Sequence, residues 1–253
     1  MCNIHPKAEP FFLKGDAQVA LLFIHGFTAS PSELYPLAEL INNMTSCSVS
    51  GILLPGHGTT PQDLSKTTWQ QGFAAVEKET RYLLDRYEKV FVAGLSMGGL
   101  LAIYAGIHIR GLSGVVSINA PVFNKSPVVS ALAPVIQIFR PLFAKKENKQ
   151  RLKLKKQGRF AYDCTPVKAF RSMGNLRNRV IEDISSLTIP LLVMQSKLDE
   201  SVNPESGIYL VEKAVNAPAA LVHLEKSFHV ATMGEEKDII ANEIAEFITN
   251  FEF

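Results

Sequence analysis

The sequence predicts an α/β architecture: a mostly parallel central sheet flanked by helices, with a small helical cap insertion. Three observations predict it. Short runs in which every residue is apolar alternate with segments of helical period. Those runs lack the in–out alternation of a half-exposed sheet, so helices must cover both faces. The alternation breaks once, between about Pro121 and Asn175. The expected division is a core formed by residues 1–120 and 176–253, with residues 121–175 as a cap or lid.

Val19–Ile24 is apolar on both faces and reads as a central strand. Ser30-Pro31-Ser32-Glu33 then has the form of a helix start, with a cap serine, proline at the first position and glutamate three after the cap. Leu34, Leu37, Leu40 and Ile41 mark that helix's buried face. A strand is expected over Val49–Leu54, ending in Pro55-Gly56-His57-Gly58. Thr67 or Thr68 caps a long helix to about Tyr87, and Val90–Ala93 is a short buried strand. A small-residue helix follows to about Ile109, then a strand at Val115–Ile118. Late in the chain come strands at Ile189–Met194 and Ala220–Leu224, with helices over Pro204–Val215 and Glu235–Ile248. In the insertion, Val128–Phe143 has apolar residues at helical spacing, but Pro134 and Pro141 predict short, kinked helices.

Composition bounds the function classes. In 253 residues, 26 Lys+Arg against 24 Asp+Glu leave a net charge of +2, which gives no global argument for nucleic acid. Three well-separated cysteines (Cys2, Cys47, Cys164) form neither a disulfide framework nor a zinc pattern. The amino-terminal residues have no basic-then-apolar leader pattern, and no apolar run approaches the ~20 residues of a membrane span. A cytoplasmic protein is expected. The absence of a P-loop, a complete dinucleotide loop and an H-E-x-x-H motif leaves no cofactor or metal implied.

Chemistry concentrates at Gly94-Leu95-Ser96-Met97-Gly98, a G-x-S-x-G pattern between a buried strand and a helix. A serine held there in a sharp turn exposes its hydroxyl, and small neighbours let the bend form. The hydroxyl needs a base, and the base needs an orienting carboxylate. With this kind of turn the chain order is serine, acid, histidine. His5, His25, His57 and His108 precede any late acid, and His223 is fixed within a strand. His229, in the loop after that strand, is therefore the base candidate. Asp199, just past the Leu191–Met194 run, is favoured as the acid over Glu200, Asp183 and Asp163. The developing oxyanion needs two N–H donors, expected from Met97 and from Phe27 in the loop His25-Gly26-Phe27-Thr28. His25 is expected to shape that loop by local hydrogen bonding.

Taken together, His25-Gly26-Phe27, Leu54-Pro55-Gly56-His57-Gly58, Gly94–Gly99, Asp199 and Ser227-Phe228-His229-Val230 resemble the α/β-hydrolase fold. More narrowly they resemble small bacterial carboxylesterases and monoacylglycerol lipases, over most of the chain outside the insertion. The resemblance implies a triad of Ser96, Asp199 and His229, an oxyanion hole at Phe27 and Met97, and an acyl pocket beneath the cap. The substrate would be a small-molecule ester or monoacylglycerol, with no cofactor. The alternatives are an acyl thioesterase using the same residues and a ligand-sensing receptor of this fold with slow or no turnover.

Ile136 and Phe139 in the cap and Val202 beside Asp199 are the expected pocket-lining residues. Glu147 and Asp163 are the insertion's only acids, which argues against recognition of a free amino terminus. Residues 145–156 hold seven basic side chains and one acid; without them the rest of the chain has a net charge of −4. The run reads first as a solvated helix face, second as a weak contact to an anionic membrane surface, and third as a site for an acidic acyl carrier such as a coenzyme thioester.

Overall fold

The computed structural model of the chain describes residues 3–123, 125 and 141–249. Its main sheet has seven strands, in the order β1 (Phe11–Leu13), β3 (Ser48–Ile52), β2 (Val19–Ile24), β4 (Lys89–Leu95), β5 (Gly114–Ile118), β8 (Leu191–Ser196) and β9 (Ala219–Leu224). Every neighbouring pair is parallel except β1–β3. β1 escapes a pattern reading because three residues at an edge, none of them buried, carry no period.

Burial explains why the central strands are apolar throughout. Leu22, Ile24, Val90 and Val92 point into one layer, packed by α3 (Trp69–Leu84), α4 (Met97–His108), α6 (Val167–Asp183) and α7 (Glu205–Lys213). Leu21, Phe23, Phe91 and Ala93 point into the other, packed by α1 (Tyr35–Thr45) and α8 (Lys237–Thr249). Each fully buried Leu, Ile or Phe contributes about 1.5–3 kcal/mol relative to exposure. Parallel strands end at one edge of the sheet. β4 is the middle strand, so the loops after β2, β4, β8 and β9 converge there.

Helix ends follow local chemistry where the partner is local. Thr68 and Gln71 form the capping box that starts α3. The Ser30–Glu33 start differs from expectation: Pro31–Glu33 is a 3-10 turn, Ser30 makes no cap hydrogen bond, and α1 begins at Tyr35. Glu33 has partners elsewhere. The strand expected from Ile189 begins instead at Leu191, because Pro190 has no N–H to pair.

The insertion is not purely helical. β6 (Leu142–Ala144) pairs antiparallel with β7 (Cys164–Pro166), enclosing the basic α5 (Lys149–Lys156). α6 runs across position 175, from the insertion into the core. Phe143, at the end of the stretch expected to form kinked helices, is strand and exposed, its direction set by the β6–β7 pairing. Most of Val128–Phe143, including Ile136 and Phe139, lies outside the described residues. The short α2 (Pro61–Ser65) packs against β7. No helix among the described residues is long and apolar enough to cross a membrane.

Candidate active site

The chain reverses sharply at Ser96, between β4 and α4, with φ 59° and ψ −118°. Such a conformation in a non-glycine residue costs on the order of 1–3 kcal/mol and persists only where its surroundings enforce it. The Ser96 N–H donates to Ile118 O at 2.8 Å, anchoring the turn to β5. The flanking glycines are steric necessities. A Cβ on Gly94 would stand 2.1 Å from the Gly98 carbonyl carbon, and one on Gly98 2.0 Å from Ile24 O.

His229 and Asp199 reach this serine from β9 and β8. The His229 ring lies between them, with Nε2 3.0 Å from Ser96 Oγ and Nδ1 2.8 Å from Asp199 Oδ2. Asp199 is fully buried, and its other oxygen accepts from Ser201 and Val202 N–H, both at 2.8 Å. Burial disfavours the His229 cation. The hydrogen bond and charge of Asp199, with Glu200 and Glu33 adding, outweigh that and raise its pKa above the ordinary histidine value.

The rival acids do other work. Glu200 accepts from the His229 backbone N–H at 3.0 Å rather than from its ring. Asp163 pairs with Arg151 and Lys155, and Asp183 lies 3.7 Å from His108.

Two further residues hold the histidine loop. Asn119, at positive φ after β5, donates to His229 O and Ser196 Oγ, both at 2.9 Å. Glu236 accepts from Glu225 N–H, Lys226 N–H and the Ser227 hydroxyl at 2.7–2.9 Å. Sequence reading missed both. An asparagine at a strand's carboxyl end, tolerant of left-handed backbone, is the only local signal.

The loop after β2 lies against Ser96: a Cβ on Gly26 would be 3.5 Å from Ser96 Cβ. Phe27 follows in this loop, while Met97 opens α4, where a backbone N–H has no acceptor within the helix. Both N–H groups thus belong to segments meeting at Ser96.

The loop is braced by two histidines whose rings meet edge to face, with centroids 4.8 Å apart. His25 Nδ1 donates to Gly26 O at 2.9 Å and its Nε2 accepts from Leu54 N–H at 3.1 Å. His57 Nδ1 donates to Pro55 O at 3.1 Å and its Nε2 accepts from Thr28 N–H at 3.2 Å. Each ring needs one protonated and one bare nitrogen, so both must be neutral. His25 therefore shapes the loop locally and is not in contact with Ser96.

A second brace comes from the insertion. Glu33, 1% exposed, accepts from Gly26 N–H at 2.7 Å with one oxygen. Its other oxygen takes the Arg159 guanidinium at 2.7–2.8 Å. Phe160 N–H donates to Ser32 Oγ at 2.9 Å, and Tyr162 N–H to Thr28 O at 2.8 Å. Residues 159–162 thus strap the loop that carries Phe27.

The buried histidines predict acid sensitivity. Burial is the largest cause holding His25 at about 4 and His57 at about 3, well below the 6.5 expected in the unfolded chain. Their stabilising contribution is complete above pH 6.5 and is lost as pH falls towards those values, at roughly 1.4 kcal/mol per pH unit for each. His229 has the opposite sign, because its raised pKa favours the folded state below 6.5 and loses that contribution at higher pH. Urea unfolding should show stability falling between pH 6.5 and 5, with a slope approaching two protons. A flat profile over that window would contradict neutral, buried His25 and His57.

Comparison with known proteins fits this geometry. The family model Hydrolase_4, described as serine aminopeptidase, S33, matches residues 15–237. The chain belongs to this family. A thermostable monoacylglycerol lipase of Bacillus sp. (strain H-257) is 29% identical over 95% of this chain and 94% of its own. A carboxylesterase of Bacillus subtilis (strain 168) is 24% identical, covering 97% and 98%. A solved structure from work on the metagenome-derived lipolytic enzymes LipS and LipT is 30% identical, with a TM-score of 0.84, covering 98% of this chain and 100% of that one.

In this Hydrolase_4 member a cavity of about 370 Å³ opens over Ser96. Phe27, Phe170, Met173 and Val202 supply apolar wall. Beside His229, its charged lining is Glu33, Glu200, Lys125, Lys145 and Arg159. The two acids come from the core rather than the insertion, and both already accept hydrogen bonds from the protein. Within the basic run, Arg151 and Lys155 meet Asp163 and Lys155 also meets Glu147, while Lys149, Lys153 and Lys156 are exposed.

Proposed function

We propose that the protein is a serine hydrolase that cleaves carboxylic esters, of the carboxylesterase and monoacylglycerol lipase type, through an acyl-enzyme on Ser96. The observation that carries this reading is the continuous hydrogen-bonded chain from Ser96 Oγ through the His229 ring to buried Asp199. Ser96 Oγ attacks the ester carbonyl while His229 Nε2 takes its proton. Asp199 keeps the Nδ1 proton in place and stabilises the imidazolium that forms. The tetrahedral oxyanion is held by the Phe27 and Met97 N–H groups. His229 then protonates the leaving alcohol, and a water that it deprotonates releases the acid and restores Ser96. Nothing in this sequence of steps calls on a cofactor.

The apolar wall of Phe27, Phe170, Met173 and Val202 suits an acyl chain. The lipase and esterase relatives support an ester rather than a peptide substrate. A complete serine–histidine–acid chain favours turnover over ligand sensing alone.

The test is a panel of p-nitrophenyl acyl esters and monoacylglycerols of increasing chain length, with an amino-acid p-nitroanilide for comparison. Ester turnover is expected and anilide turnover is not. His229 must be neutral to accept a proton, so kcat/KM should fall as pH drops through a value above 6.5. Cleavage of the anilide alone would reject the ester reading.

A further inference from the structure

Of the basic run, Lys145 lines the cavity over Ser96. It is half-buried and donates through Nζ to Thr28 Oγ1, one residue from Phe27. Lys125 lines the same cavity and donates to the Asp199 carbonyl. Their partners are thus a hydroxyl and a carbonyl; among the described residues neither lysine makes an ion pair. Arg159, also on the wall, is different because Glu33 neutralises it.

Three cations and two carboxylates line the cavity, but Glu33 is committed to Arg159 and the Gly26 N–H and Glu200 accepts from the His229 N–H, so the usual resolution for the lysines is a counter-ion that arrives with a ligand. Burial, then the neighbouring Arg159 and Arg151 charges, press Lys145 down to about 7, against only a partial pull from Glu33. An anion in the cavity would reverse that balance. A purely acyl-binding pocket needs no such charge.

We propose that the cavity beside Ser96 contains an anion subsite, built on Lys145 with Lys125, that selects esters bearing a carboxylate or phosphate near the scissile bond. This rests on the ester-hydrolase reading and narrows its substrate class. An anion docked on Lys145 lies beside the Phe27 loop, so its binding also orders the segment that meets the oxyanion. Arg159 cannot serve in place of Lys145, because its guanidinium is committed to Glu33.

Two matched pairs test it. Ethyl butyrate against monoethyl succinate places a carboxylate on the acyl side. A monoacylglycerol against the corresponding monoacylglycerol phosphate places a phosphate on the alcohol side, so the two arms distinguish the sources. Wild type is expected to favour the anionic member of at least one pair tenfold or more in kcat/KM. Lys145→Met should reduce that ratio at least tenfold, and Lys145→Arg should retain most of it. Reading a ratio separates selectivity from any general effect on rate.

If neither pair shows an anionic preference, or Lys145→Met leaves the ratio unchanged, the subsite is wrong while the hydrolase stands. If wild type cleaves none of the four esters, the hydrolase reading fails instead. Calorimetry with succinate and inorganic phosphate then decides the subsite: binding at least tenfold weaker in Lys145→Met upholds it, and no binding to wild type overturns it.

Discussion

Replacing Ser96 with alanine is expected to lower kcat on a p-nitrophenyl ester by about a million-fold, the scale reached when a serine nucleophile is removed. The fold should survive. Ser96 Oγ contacts only His229 among the described hydrogen bonds, and its N–H bond to Ile118 O is made by the backbone. Alanine at φ 59° retains the strain that serine already bears there, so the melting temperature should change little. Residual turnover above water would come from the oxyanion donors and the cavity alone. A variant that keeps near-wild-type turnover and a normal melt would remove Ser96 from the mechanism.

Gly98→Ala should be as severe, by a different route. The added methyl would lie 2.0 Å from Ile24 O and 2.9 Å from His25 O, so it meets backbone rather than a movable side chain. Either α4 lifts away from β2 or the loop after β2 shifts. Both outcomes disturb the meeting of Ser96 with the Phe27 loop. The cost should be roughly 4 kcal/mol or more, a large part of the ~5–15 kcal/mol that stabilises a typical fold. Gly72→Ala is the internal control. It lies within α3, and beyond its own helix the added methyl would meet Leu101 Cδ1 at an ordinary 3.9 Å. That change should stabilise by about 0.4–1 kcal/mol. Thermal melts therefore should move in opposite directions for two glycine-to-alanine changes. A Gly98→Ala protein that melts like wild type would show that the contact between α4 and β2 is not tight.

The fold was legible because its signals are short-range. Strands buried on both faces, such as Val19–Ile24, are apolar at every residue, and the threonine pair Thr67-Thr68 marks the start of a helix, with Thr68 its cap in the structure. His229 and Asp199 could be selected from rival histidines and acids because chain order restricts the choice, and the structure brings both to Ser96. Glu33 was misread because a serine followed three residues later by glutamate looks the same whether the carboxylate caps its own helix or reaches an arginine 126 positions away. Lys145 was submerged in a run of lysines for the same reason: charge composition does not reveal which member turns inward. The insertion's β6–β7 pairing joins two three-residue strands, too short for any period to show.

The strap from residues 159–162 onto the loop after β2 also bears on how the enzyme comes into being. Gly26 takes its bracing from Glu33, whose guanidinium partner emerges much later, and Ser96 waits 133 positions for the imidazole. Loop closure over such separations comes late in folding. A nascent chain can lay down β2, β3 and β4 and bury much of their surface while still lacking a base. The Ser96–His229 contact needs β9 in place at the far edge of the sheet, so recovery of activity on refolding is expected to lag behind collapse. A fragment ending before position 229 would contain Ser96 but lack the imidazole that hydrogen-bonds to it.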